Sequence, residues 1–150
     1  MAGEGRVLKP ANQNPWYVLM TLHGEEDEAF DETLHKKNRA AWNAWSCQVM
    51  SQEKRAEAAE FSQVAVEELA AWPKLKGEIA ERHRSEMLRR NDDSFVYPGL
   101  PNAGATVNLE NVIFPKRVMM NGSVFSGHAQ FTGAKFSDDA YFSCAIFSLG

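Results

Sequence analysis

The sequence predicts an α+β chain: a helical region of three to four helices over residues 1–93, an extended connector over 94–106, and a β-structured stretch over 107–150. Three observations carry this. Large apolar residues return at alternating spacings of five and six: Leu109, Phe114, Met120, Phe125, Phe131, Phe136, Phe142 and Phe147. Two positions before each sits a smaller residue: Val107, Val112, Val118, Ser123, Ala129, Ala134, Ala140 and Ala145. Upstream of residue 91, apolar residues instead recur every three or four positions, which is the rhythm of a helix face.

Neither a helix nor an ordinary strand has a period of 5.5, but a stack of short units does. Each unit fits one short extended side and a corner. Four sides close a square coil of 22 residues, so the stretch holds about two coils. Alternate residues of an extended segment share a face, so the large residue and its small neighbour both point inward. Corners want polar residues or glycine, and Asn121-Gly122, Ser126-Gly127, Thr132-Gly133 and Ser137-Asp138 supply them.

The segments Ala129-Gln130-Phe131, Ala134-Lys135-Phe136, Ala140-Tyr141-Phe142 and Ala145-Ile146-Phe147 resemble the A-x-F variant of the pentapeptide-repeat family, including its alternating sixth residue. Valine replaces alanine over 107–118. The resemblance implies a right-handed quadrilateral β-helix. Parts of the leader, Asn14-Pro15-Trp16-Tyr17, His23-Gly24-Glu25 and 34–43, are also similar to leaders of some bacterial pentapeptide-repeat proteins.

Taken in order, residues 1–13 read as a loose polar arm. Asn14-Pro15 signals a helix start, an N-cap followed by proline at the first helical position, with Gly24 able to end it; a short strand through Trp16–Leu19 is the competing reading. Glu25-Glu26-Asp27-Glu28 reads as a solvated acidic loop. A helix follows from Asp31 to about Met50, with Leu34, Asn38, Ala41, Trp42, Trp45 and Val49 on one face. Ser51 can cap the next, to about Ala71, on a stripe of Ala56, Phe61, Val64, Ala65, Leu69 and Trp72. Pro73 breaks or restarts the path, and Lys74 to Arg90 makes a further helix with Leu75, Ile79, His83 and Met87 aligned. The connector holds Pro98, Gly99, Pro101 and Gly104, with Phe95 and Tyr97 as anchors. Asn102, Asn108 and Asn111 suit turn-capping.

The net charge of −4 gives no general attraction to nucleic acid or anionic membrane, so neither is expected as a partner. With no apolar signal region and two cysteines far apart, Cys47 and Cys144, the reading is a cytoplasmic protein with reduced thiols. His23, His35, His83 and His128 show no metal-site spacing, and Asp138-Asp139 reads as solvated. No nucleophile, phosphate-loop or dinucleotide motif occurs, so no catalytic, cofactor-binding or metal-binding residue is assigned.

The expected function is a non-catalytic protein-interaction or scaffold module, its helical part capping the N-terminal end of the rod. The rhythm stops at Gly150 with the next central residue due at 153, which suggests either a longer rod or a homo-oligomer joined through the C-terminal edge. The alternative that the resemblance implies is a DNA mimic acting on a type II topoisomerase. That role needs a strongly negative rod, yet Glu110, Asp138 and Asp139 are balanced by Lys116, Arg117 and Lys135. A third reading, an enzyme with a site between helices and rod, has no constellation behind it.

Overall fold

A computed structural model describes residues 7–27 and 29–147. Over the described residues the chain is α+β: five α-helices on the N-terminal side, then short parallel strands on the C-terminal side. Strand β1 (Lys9–Pro10) and a 3-10 turn precede α1 (Pro15–Met20). Asn14 caps α1, its side-chain oxygen accepting the Trp16 and Tyr17 amides. Gly24, at φ +141°, turns the chain away afterwards.

Helix α2 (Glu32–Ser46) starts at the Asp31 cap and continues as a 3-10 turn over Cys47–Val49. Its buried face holds Ala41, Trp42, Ala44 and Trp45, but also His35, Asn38, Asn43 and Ser46. Val49, expected on that face, is 55% exposed because the tightening into a 3-10 turn rotates it outward.

The single helix expected over 51–71 is two. Helix α3 (Gln52–Ser62) ends where Gln63 adopts a left-handed conformation at φ 59°, and α4 (Val66–Leu69) follows. The break also changes the buried face. Ala58, Ala59 and Ser62 go inside, while Ala56 and Phe61 face out, Phe61 at 62% exposure. Helix α5 (Trp72–Arg90) carries Pro73 in its first turn, where a missing amide costs nothing, and buries Ile79, His83 and Met87. No helix among the described residues is long and apolar enough to cross a membrane.

Eight short strands follow: β2 (Val107–Asn108), β3 (Val112–Phe114), β4 (Val118–Met119), β5 (Val124–Phe125), β6 (Ala129–Gln130), β7 (Lys135–Phe136), β8 (Ala140–Tyr141) and β9 (Ile146–Phe147). Each of the first four pairs in parallel with the strand four places on, and every partner lies 22 residues ahead: Val107 with Ala129, Phe114 with Phe136, Val118 with Ala140, Phe125 with Phe147. Two layers result, 107–125 and 129–147. Amides of the first layer donate to carbonyls of the second, as in Leu109 to Gln130 and Met120 to Tyr141, both 2.8 Å.

Alternate corners are tight turns closed by a bond from the fourth residue to the first: Val112 to Leu109, Ser123 to Met120, Ala134 to Phe131 and Ala145 to Phe142. The third position of each turn has positive φ: Asn111 (61°), Gly122 (74°), Gly133 (74°) and Cys144 (58°). These four positions are eleven apart, so the corners follow the same period as the aromatic residues.

Candidate functional site

The strand region presents two rims, and the helices close one of them. On the β2 side, Asn14 Nδ2 donates to the Asn108 carbonyl at 2.9 Å. On the β3 side, β1 supplies a parallel strand, with Lys9 opposite Val112. Beside β4, Glu26 forms an isolated antiparallel bridge with Arg117. Over β5 lies α2. Asn43 Oδ1 accepts the Val124 amide (2.8 Å), and Asn43 Nδ2 donates to the Gly122 carbonyl (3.2 Å) and to Glu68 (2.7 Å). Trp42 Nε1 donates to the Val124 carbonyl (3.0 Å), and Ser46 Oγ accepts the Ser126 amide (3.0 Å). All four edges that would stand open thus find polar partners in the helical region.

The helices also close the apolar interior. Tyr17 meets Phe114 edge-on at 5.6 Å, and Phe114 stacks on Phe136 at 4.6 Å with the rings 2° from parallel. Trp42 lies 4.9 Å from Phe125, which stacks on Phe147 at 4.6 Å. Each phenylalanine column therefore carries an aromatic ring from the helices at its head. A second, smaller cluster lies outside the columns, where Val124 and Ile146 turn outward against Cys47, Ala58, Ala59 and Leu69.

The other rim is built differently. Leu109, Phe114, Met120 and Phe125 of the first layer are buried, together with Val107, Val112, Val118 and Ser123. Their second-layer counterparts are less covered. Ala129, Phe131, Ala134, Phe142 and Ala145 are half-buried, Ala140 is exposed, and Phe136 and Phe147 are 37% and 44% exposed. Of the eight large residues expected to point inward, the four of the first layer are buried and the four of the second are only partly covered. Among the described residues, strands β7 and β9 have a paired strand on one side only.

Other assignments also move. Glu26 is not solvated but 3% exposed, and burial raises its carboxyl above the usual range; Glu28 lies outside the described residues. His83 is fully buried. Its Nε2 faces the Pro15 carbonyl at 2.9 Å, which can only accept, so Nε2 carries the proton and Nδ1 accepts the Tyr97 hydroxyl at 2.7 Å. Burial lowers the pKa of His83, as it does those of His35 and His23. The Cys47 thiol is buried and pushed up to about 12 by that burial, whereas Cys144 is exposed. No group of three His, Cys, Asp or Glu side chains among the described residues could hold a metal ion.

Sequence reasoning missed Asn43, Ser46 and Glu68 as contributors to the closed rim. The available signal was Asn38, Asn43 and Ser46 sharing a buried helix face with two tryptophans, since a buried amide needs partners. Compared with models of known families, with curated proteins and with solved structures, the chain matches none.

Proposed function

We propose that residues 107–147 are two turns of a right-handed quadrilateral β-helix of the pentapeptide-repeat type, and that the chain is a non-catalytic protein-interaction or scaffold module. The observation that carries the reading is the uniform 22-residue offset in all four strand pairs, with phenylalanines stacked at 4.6 Å along two of them. A constant offset on every side is what a stacked coil requires and what a flat sheet does not. Residues 7–93 act as a plug on one end, and 94–106 lead into the first turn.

The rim opposite the plug is the contact surface in this reading. It offers backbone edges and half-covered aromatic rings, the combination through which chains add to one another. The partner is a protein, and a second copy of this chain is one such partner. Light scattering over a concentration series tests this. Association should raise the mass above the 16.8 kDa of one chain, and Phe136→Lys together with Phe147→Lys should restore that mass. A single-chain mass at the highest concentrations removes the self-association.

A further inference from the structure

In the helical region, a cleft of about 430 Å³ lies between α2 and α5, with His23 also in its lining. Its size falls in the range of small-ligand pockets, roughly 300–1,000 Å³. Its apolar lining is made by Ala41 and Ile79, at 3% exposure each, and by Ala40 and Leu75. Small residues on α2 make the room; a larger side chain there would fill it.

The rim of the cleft is cationic in a chain of net charge −4. Lys37 on α2, Arg82 on α5 and His23 all line it. Among the described residues, neither Lys37 nor Arg82 has an ion-pair partner, as is also true of Lys9, Lys54, Arg55, Lys74, Lys76, Arg84 and Lys135. Arg82 is nevertheless held in place, its Nε donating to the Leu22 carbonyl at 3.2 Å. His23 is held below its ordinary pKa first by burial and then by the charges of Arg82 and Lys37, against which the charges of Glu78 and Glu86 act. The single acid in the lining, Glu78, lies one helical turn from Arg82.

We propose that this cleft binds the C-terminal residue of a partner polypeptide, an apolar side chain beside a free carboxylate. The carboxylate takes Arg82 and Lys37, the terminal amide N–H donates to Glu78, and the side chain covers Ala41 and Ile79. Lys37, Glu78 and Arg82 then each have a counterpart in one small ligand, which a purely anionic or purely apolar molecule does not provide. The proposal rests on the protein-interaction reading only in taking the carboxylate to be a chain end.

The test is a titration of the full, isotope-labelled chain with N-acetyl-L-leucine, read by amide chemical shifts. Saturable shifts should appear along the cleft faces of α2 and α5. N-acetyl-L-leucinamide, which lacks the charge, should bind about tenfold more weakly, and Lys37→Gln and Arg82→Gln should each weaken N-acetyl-L-leucine several-fold. No saturable response in the millimolar range, or equal binding of the amide, overturns the site. Equal affinity for hexanoate overturns the chain-end assignment in favour of free carboxylates. A null titration leaves the self-association experiment standing, so the two readings fail separately.

Discussion

The two layers of strands share one rhythm and nearly one set of residue types, yet they live in different surroundings. Phe114 and Phe125 are fully buried, while the residues stacked on them, Phe136 and Phe147, are 37% and 44% exposed. Backbone path and ring stacking are the same in both. What differs is the second neighbour: the first layer has Tyr17, Trp42 and Asn43 above it and the second layer below it. A repeating pattern therefore specifies geometry, and burial comes from whatever lies on either side.

The contrast is sharpest in the columns. Phe125→Ala should cost about 3–5 kcal/mol, because it opens a cavity beneath Trp42. Phe147→Ala should cost about half of that or less, because part of its ring is already in water. Urea melts of the two variants measure both, and equal losses would break the comparison. Next comes the backbone. Asn43→Ala strips partners from the Val124 amide, the Gly122 carbonyl and Glu68, at about 1–3 kcal/mol. Asn121→Ala frees only the exposed Ser143 amide, which water can serve, so its loss should stay below about 1 kcal/mol. Deuterium exchange at Val124 should accelerate in the first variant and not in the second.

Corners give smaller effects, and one of them has the opposite sign. Cys144 occupies the left-handed position that Gly122 and Gly133 fill elsewhere, so Cys144→Gly should stabilise the second layer by about 0.5–1 kcal/mol in the same melts. Gly122→Ala should destabilise, since a β-carbon there adds backbone strain and comes within 3.3 Å of Arg39 Cδ. The smallest effect is with acid. His83 binds protons less readily folded than unfolded, so its stabilisation is present above the unfolded pKa and declines as pH falls below it. Facing it are the Tyr97 hydroxyl, the Pro15 carbonyl and the charge of Arg90. Melts at pH 7 and pH 5 should differ less in His83→Gln than in the parent chain.

How much of this was legible depended on whether the signal was local. The α1 start was readable because Asn14-Pro15 carries its own capping chemistry. The spacing of β2–β9 was readable because inward rings need a fixed interval. The break at Gln63 was not, since glutamine has no special liking for φ 59° and the turn serves the packing of Val64 and Leu69 against Val124. Nor was the burial of Glu26 or the bridging role of Asn43, because Arg117, Val124 and Gly122 each lie more than 75 residues away. Asn111 and Cys144 hid in plain sight: the eleven-residue interval that ties them to Gly122 and Gly133 is visible only once turns, and not only rings, are counted.

The constant offset of 22 has a consequence for how such a chain can change in length. Dropping or inserting one codon within 107–147 would turn every later inward ring to the wrong side and misplace each corner, so small indels there should be purged. A gain or loss of 22 residues leaves all facing partners as they were. Growth in this part of the gene is thereby quantised, and tandem duplication of a 66-nucleotide block is the smallest step that keeps every side in phase.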